Sequence, residues 1–194
     1  METAKGRLGF ALCGSFCTLH RGMEAMESLA ASGWELVPIV SESVYETDTR
    51  FGTAAEHLMR IETCCGRKVI HTIAKAEPLG PREPLDALIV APCTGNTLAK
   101  IAQGITDTPV TMAIKAHLRN CRPLIIALAS NDALSGNLAS IAAVSGRKNV
   151  YFVPLGQDDP IHKPWSLVAD FSLIPSTLFA AFSGIQIQPV LTRH

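Results

Sequence analysis

The sequence predicts an α/β domain with a mostly parallel central sheet, and two observations carry this prediction. Short apolar runs alternate with longer stretches of helical periodicity along the 194 residues, which is typical of parallel strands joined by helices. The short runs are apolar at nearly every position, as expected for strands buried on both faces. The chain is long enough for one well-packed domain and short for two, so we expect a single domain over residues 1–194.

The strand candidates are short and rich in Val, Ile and Leu. Five are clear and one is weaker, so we expect a sheet of about six strands. The clear candidates are residues 8–12, 35–40, 87–91, 123–129 and 150–154, and the weaker one is 68–73.

Helical periodicity fills the gaps between the strand candidates. Thr18 is the expected N-cap of the first helix, and Gly33 is its expected end. The last helix candidate must accommodate Pro175, which predicts a kink or break there. The candidates are residues 18–32, 54–65, 96–103, 109–119, 136–144 and 166–182.

The C-terminal segment follows a different pattern. Residues 185–190 alternate apolar and polar side chains, and Pro189 lies among them. An edge strand, an extended arm on a neighbouring protomer and a partly ordered tail all fit this pattern. We therefore expect residues 184–194 to form an extended C-terminal tail.

Composition excludes several classes of protein. Seventeen basic residues balance seventeen acidic ones with no basic run, which argues against nucleic acid or an anionic membrane as a partner. The N-terminus has no signal-peptide pattern, and the longest apolar stretch is far shorter than a membrane span, so we expect a cytoplasmic protein. The six cysteines lack metal-ligand spacing and are expected as reduced thiols, with no metal site.

Small polar residues follow the first two predicted strands. Ligands of parallel sheets bind beyond the carboxyl ends of the strands, so these positions are candidate sites. Gly14 and Ser15 follow the first strand, where a helix N-terminus can hold a phosphate group. Ser41 and Ser43 follow the second strand, and Arg50 lies beyond them. An ordinary turn and a polar surface loop are the alternatives at these two places.

The third strand ends in the strongest functional pattern of the chain. Residues 91–107 pass from a buried strand through Pro92 into Thr94, Asn96 and Thr97, where a helix begins. Such a turn surrounds a ligand with backbone N–H groups, hydroxyls and an amide without adding charge. This chemistry suits a flavin, and the hydroxyl-rich phosphate site would accept NADP as well.

Residues 91–107 resemble the A-P-x-(S/T)-x-N-T-x-x-K-x-A-x-G-x-x-D motif of the flavoprotein family that includes FMN-dependent cysteine decarboxylases. The resemblance implies a Rossmann-like three-layer fold, assembly as trimers or multiples of trimers, and FMN as cofactor. It also implies that FMN contacts the turns after successive strands. These contacts are Gly14, Ser15, Ser41, Ser43, Thr94, Asn96, Thr97, Ser130 and Asn131.

Three further segments, residues 49–52, 75–81 and 154–160, resemble one branch of this family. Members of that branch are components of an oxidoreductase that act with a different, A-type subunit on a small dicarboxylate. Arg50 and Lys75 are then candidate partners of the two carboxylates, and His71 is a further candidate at the substrate. His20, His57 and His117 fall on predicted helices, where a surface position is expected.

Two other functions remain open at the level of sequence. A decarboxylase of the cysteine type fits residues 91–107, but residues 129–134 lack the Met-Trp pair of the family's P-x-M-N-x-x-M-W segment. A non-catalytic protein that stabilises the A-type partner also fits, because no acid–base pair stands out. The catalytic residue is therefore left unassigned.

Overall fold

The computed structural model describes residues 5–192, and in this part of the chain seven strands form one sheet. The sheet order is β2-β1-β3-β4-β7-β6, and β5 pairs with the first half of β4. The strands are β1 (Arg7–Leu12), β2 (Glu35–Val40), β3 (Ala87–Cys93), β4 (Leu124–Ser130), β5 (Val150–Phe152), β6 (Leu155–Gly156) and β7 (Leu167–Ala169).

The first five strands run parallel, and the last two are antiparallel additions. In register, Leu8 of β1 pairs with Leu36 of β2 and with Ala87 of β3, and Leu88 of β3 pairs with Leu124 of β4. β7 runs antiparallel to the end of β4, and β6 runs antiparallel to β7. The predicted fold class is confirmed, with seven strands rather than six.

Eight α-helices flank this sheet within the described residues. They are α1 (Phe16–Ala31), α2 (Glu42–Glu46), α3 (Ala54–Cys65), α4 (Ile73–Ala76), α5 (Gly95–Gln103), α6 (Pro109–Leu118), α7 (Leu138–Ser145) and α8 (Ile174–Phe182). Short 3-10 segments cover Glu77–Leu79 and Phe171–Leu173. None of the helices described here has the length and apolar character needed to cross a bilayer.

Burial explains why the central strands are so uniformly apolar. Each of the seven residues of β3 is buried, and the same is true of β4. Helices on both sides of a parallel sheet leave neither face in water, so an alternating pattern has no physical basis there. Glycines in the left-handed region end two of the helices: Gly66 ends α3 at φ 63° and Gly104 ends α5 at φ 73°.

The predicted helix over residues 166–182 is wrong in its first half. Residues 167–169 form β7, which completes the sheet beside β4, and α8 begins only at Ile174. Pro175 therefore lies in the first turn of α8, where its missing N–H costs no helical hydrogen bond and no kink is needed. The short helix α2 was not expected either, and it occupies part of the predicted polar loop.

The weak strand candidate at residues 68–73 is reduced to a single bridge. Ile70 donates from its backbone N–H to the carbonyl of Pro38 and accepts from the N–H of Val40. Thr72 then caps α4, so the extended backbone cannot continue. The candidate is therefore wrong as a strand, although it does lie at the edge of β2.

The C-terminal segment runs along the opposite edge of the sheet. The side-chain amide of Gln186 accepts from the N–H of Phe152 and donates to its carbonyl, as a neighbouring strand would. Leu191 forms a parallel bridge with Leu155. Residues 1–4 and 193–194 lie outside the described residues. The predicted single domain over 1–194 and the tail over 184–194 stay predictions.

Gly22 sets how closely α1 approaches the sheet. A Cβ atom at this position would lie 2.5 Å from the carbonyl oxygen of Ala91 and 2.8 Å from Cδ of Pro92. Both atoms belong to β3, which is central and buried, so they cannot move aside as a flexible side chain would. Glycine in mid-helix is unfavourable by itself, and here close packing explains its presence.

We expect Gly22→Ala to destabilise the protein, because overpacking against backbone costs about 1–3 kcal/mol and outweighs the gain in helix propensity. Urea unfolding of the two proteins measures the difference. Gly146→Ala is the matched control, since Gly146 has an ordinary φ of −84° and open space where the methyl group would lie. Equal stability of Gly22→Ala and the parent protein would contradict this account of the packing.

Candidate functional site

The site lies where the chain direction reverses across the sheet. The chain moves from β1 outward to β2, whereas from β3 it moves the other way to β4. This arrangement opens a crevice at the carboxyl ends of β1 and β3. Four turns surround it, which we number by the strand they follow: turn 1 (residues 13–15), turn 2 (41–43), turn 3 (94–97) and turn 4 (130–137).

Turns 1 and 2 touch each other through small residues. The N–H of Ser41 donates to the carbonyl of Leu12 at 3.0 Å. A Cβ atom on Gly14 would lie 2.8 Å from Cβ of Ser43, so glycine allows the two turns to meet. Ser41 also caps α2, because its hydroxyl accepts from the N–H of Val44. Gly14, Ser41 and Ser43 therefore lie together, as predicted from the sequence.

Turn 3 closes on turn 1 from the other side. The N–H of Cys13 donates to the carbonyl of Pro92 at 3.1 Å, and the hydroxyl of Thr97 donates to Sγ of Cys13 at 3.5 Å. The hydroxyl of Thr94 accepts from the N–H of Thr97 and donates to the hydroxyl of Thr97. The side chain of Thr94 therefore caps α5. Asn96 is exposed beside them.

Turn 4 completes the crevice through a carboxylate that was not among the predicted site residues. Asp132 accepts from the hydroxyl of Ser130 and from the side-chain amide of Asn137, both at 2.6 Å. A Cβ atom on Gly95 would lie 2.5 Å from Nδ2 of Asn137 and 2.6 Å from Oγ of Ser130, so turns 3 and 4 are in contact. The sequence does place Asp132 just after the end of a predicted strand, and this position could have identified it as a site residue.

Hydrogen bonding keeps this carboxylate ionised. The hydroxyl of Ser130, with a smaller effect from Asn137, lowers the pKa of Asp132 below its ordinary value of 3.8.

Within the part of the chain that the structure describes, no three His, Cys, Asp or Glu side chains are grouped to hold a metal ion.

The floor of the crevice consists of two neutral thiols. Burial raises the pKa of Cys13 to about 11, and burial also raises the pKa of Cys93 well above its ordinary value. Both therefore act as small apolar groups and exclude water from beneath turns 1 and 3. All six cysteines are free thiols, in line with the sequence-based expectation.

The N-terminus of α1 is open toward the crevice. Ser15 is the N-cap of α1, but its side chain makes no capping bond and instead accepts from the hydroxyl of Thr18 at 2.9 Å. The N–H of Ser15 donates to the carbonyl of Cys13 and that of Thr18 to the carbonyl of Ser15. The first amides of an α-helix otherwise lack partners within the helix, so those of Phe16 and Cys17 are the ones that an anion could bind. The N-cap at Ser15 lies three residues before the predicted one at Thr18, which is inside the helix.

These turns fit the phosphate and polar edge of a flavin nucleotide. Ser15, Ser41 and Thr94 are the N-caps of α1, α2 and α5, so three hydroxyl groups lie at helix starts beside the crevice, and Gly14 lets turn 1 approach turn 2 closely. Uncharged donors at helix starts are the usual partners of nucleotide phosphates. Ser130, 8% exposed, belongs to the same group, whereas Asn131 is exposed on turn 4.

The predicted substrate residues lie at different distances from the turns. His71 stacks on Tyr45 of α2 with ring centroids 3.8 Å apart, and this contact ties it to turn 2. Lys75 is exposed on α4. Arg50 is also exposed and covers the ring of Phe51 at 4.8 Å. Among the contacts described for residues 5–192, none joins Arg50 or Lys75 to the four turns.

Two helical histidines are buried, contrary to the surface positions expected for them. His117 is fully buried and pairs through Nε2 with the carbonyl of Pro123, and burial lowers its pKa. His57 is 7% exposed and lines a cavity between α1 and α3. Helical periodicity alone did not identify these two faces as buried, because the residues around both histidines are mixed in polarity.

Comparisons with known proteins agree with this geometry. The family model described as Flavoprotein matches residues 1–160. The B subunit of dipicolinate synthase from Bacillus subtilis (strain 168) is 44% identical over 195 residues, which cover 100% of this chain and 98% of the relative. The crystal structure of the dipicolinate synthase B subunit from Bacillus halodurans is 43% identical, with a TM-score of 0.90 over 99% of this chain and 98% of that one.

A more distant solved structure shares the fold. The dodecameric FMN-dependent Ubix-like decarboxylase from Escherichia coli O157:H7 is 23% identical, with a TM-score of 0.63 over 76% of this chain and 79% of that one. At this level of identity the likeness concerns the fold alone.

We expect Asp132→Asn to destabilise the protein at pH 7, because hydrogen bonds to a carboxylate are stronger than those to a neutral amide. The folded pKa of Asp132 is lowered, so its contribution is fully present above its ordinary pKa of 3.8 and is lost as the pH falls below that value. Urea unfolding at pH 7 and pH 3 measures this: the gap between parent and variant should narrow at pH 3. A difference in stability that does not change with pH would show that the ionised carboxylate of Asp132 is not its source. Ser130→Ala removes one hydrogen bond to this carboxylate and should reduce the same pH-dependent part of the stability.

Proposed function

The chain belongs to the flavoprotein family, and we propose that it acts as the B subunit of a dipicolinate synthase. In this role it takes part, together with the A subunit of that enzyme, in the oxidation of dihydrodipicolinate to dipicolinate (pyridine-2,6-dicarboxylate) during sporulation. The observation that carries the proposal is the likeness to two such relatives over essentially their whole length. The setting would be the cytoplasm of the mother cell of a sporulating bacterium.

FMN is the cofactor that the four turns would hold. Ser15 and the open N-terminus of α1 would bind the phosphate, and Ser41, Thr94 and Thr97 would line the path from it. When bound, FMN supplies a group that can accept a hydride. The buried thiols of Cys13 and Cys93 would exclude water beneath it.

The oxidation removes a hydride and a proton from the dihydropyridine ring and leaves an aromatic product. The task of this chain is to bind and orient the substrate, because the two thiols and the carboxylate of turn 4 keep a fixed protonation state near neutral pH. Cys13 and Cys93 keep their protons, and Asp132 stays ionised. This observation also favours a second candidate, in which the chain supports its A-type partner without taking part in the chemistry.

The A subunit of dipicolinate synthase and further copies of this chain are the proposed partners. The relatives are named as the B component of an enzyme, which implies a second component, and the distant decarboxylase is dodecameric. We propose a homo-oligomer, a trimer or a multiple of trimers. Several large apolar side chains are exposed and available for such contacts, among them Leu138, Ile161 and Trp165.

Reconstitution tests the proposed function. We expect the purified A-type partner and this chain, with FMN, to form dipicolinate from dihydrodipicolinate faster than either protein alone, as followed by the ultraviolet absorption of the aromatic product. Full activity of the A-type partner alone would reject a role for this chain. Release of carbon dioxide from a cysteinyl peptide by this chain alone would instead favour the decarboxylase alternative.

The phosphate position is tested by Ser15→Asp. A carboxylate at the N-terminus of α1 would repel the phosphate of FMN, so we expect affinity to fall by at least about a hundredfold. Fluorescence quenching of FMN measures the binding. Ser28→Asp adds the same charge on the exposed surface of the same helix and should leave the affinity unchanged. Unaltered binding by Ser15→Asp would place the phosphate elsewhere.

A further inference from the structure

A cavity of about 360 Å³ lies between α1 and α3, next to the end of α1 where Ser15 caps the helix. Its wall toward α1 is apolar apart from His20, and its opposite wall carries polar groups from α3. The cavity is large enough for a small organic ligand. The residues that line it are Phe16, Leu19, His20, Met23, Phe51, Gly52, Glu56, His57 and Arg60.

A tight turn over residues 49–52 forms the roof of this cavity. Thr49 and Gly52 exchange two backbone hydrogen bonds, and the N–H of Phe51 donates to the hydroxyl of Thr49. Gly52 has a φ of +131°, and a Cβ atom there would lie 2.8 Å from Cε1 of His57. The turn is therefore closed directly over the imidazole, and only glycine permits this approach.

The imidazole beneath the roof has an unsatisfied polar atom. Nε2 of His57 is buried without a hydrogen-bond partner among the residues that the structure describes, and the whole residue is 7% exposed. A buried polar atom without a partner costs free energy, so a native structure rarely retains one without a reason. Gly52 packs over this atom, since a Cβ there would lie 3.2 Å from Nε2, and both residues line the cavity. The cavity is therefore the neighbouring space from which a partner could reach the imidazole.

The other charged groups around the cavity already have partners. Arg60 donates to both carboxylate oxygens of Glu27, at 2.6 and 2.9 Å. Glu56 accepts from the N–H and the hydroxyl of Thr53, which lowers its pKa and leaves its charge in place. His20 also lines the cavity and is exposed, and Arg50 lies over the ring of Phe51.

We propose that this cavity binds a planar aromatic carboxylate. Its ring packs against the apolar wall and Phe51, which keeps 45% of its surface exposed, and one carboxylate oxygen accepts a hydrogen bond from Nε2 of His57. Arg50, which lies over the ring of Phe51, is available to a second carboxylate. The identity of the ligand rests on the function proposed above, under which it is pyridine-2,6-dicarboxylate or its dihydro precursor.

The chemistry of the cavity favours this ligand class over simpler ones. A purely apolar ligand would leave Nε2 of His57 without a partner. An inorganic anion would satisfy His57 but would leave the exposed ring of Phe51 uncovered. A flat ring that carries a carboxylate satisfies both sides at once.

Calorimetric titration of the full-length protein with pyridine-2,6-dicarboxylate tests the proposal. We expect saturable binding that is weakened at least about tenfold by His57→Phe, because the hydrogen bond to the carboxylate is lost. His57→Gln should retain part of the affinity, since its amide can still donate. Phe51→Ala should weaken binding severalfold while leaving the buried core intact. Cyclohexane-1,3-dicarboxylate, which is not planar, should bind more weakly than the pyridine.

Matched variants separate this site from the rest of the surface. His162→Phe and Phe179→Ala change residues of the same types, which are 80% exposed at the side chain and 56% exposed respectively, and both should bind as the parent protein does. Thermal unfolding confirms that each variant is folded. Absence of binding by the parent protein, or equal binding by the parent, His57→Phe and Phe51→Ala, overturns the proposal.

The same samples distinguish this inference from the proposed function. FMN binding depends on Ser15 and the four turns, so His57→Phe should leave the FMN affinity unchanged. Binding of FMN without binding of the pyridine overturns the cavity alone. Binding of the pyridine at His57, combined with full activity of the A-type partner by itself, would overturn the catalytic role while the cavity assignment stands.

Discussion

The parallel pairing of β1 with β3 decides where the polar groups of the site lie. Their register, with Leu8 opposite Ala87, brings both carboxyl ends to the same level, and the bond from the N–H of Cys13 to the carbonyl of Pro92 extends this pairing into the turns. Neither strand can slide, because a shift would break the hydrogen bonds of a sheet that is buried on both faces. The turns are short and directly follow these strands, so their positions are fixed as well.

The site so formed relies on dipoles and hydroxyl groups rather than on free charge. The thiols beneath it are neutral because burial penalises the thiolate, and Asp132 is held by two hydrogen bonds within turn 4. Turn 2 carries a second carboxylate, Glu42, which is exposed. An anion that approaches the N-terminus of α1 therefore meets no charged side chain from turns 1 and 3, and the carboxylate of turn 2, Glu42, is exposed to solvent. Such a site is suited to binding and orienting a cofactor more than to proton transfer.

Helix α1 connects the two proposed binding regions. Its N-cap, Ser15, belongs to turn 1, and the next residue, Phe16, lines the cavity roofed by residues 49–52. Gly22 fixes the approach of the same helix to β3. A shift of α1 would therefore move parts of both regions together. The position of this helix sets the distance between the two ligands proposed here.

The sequence by itself determined the parallel sheet and the residues at the tips of its turns, because uniform burial and strand-end glycines and hydroxyls are local patterns. It could not place β7 within residues 166–182, since a three-residue strand is defined by its partner β4. Nor did it identify Asp132 or the burial of His57. Those depend on which elements pack together, and only the tertiary structure decides that, because contacts between distant segments leave no periodic signal in either one.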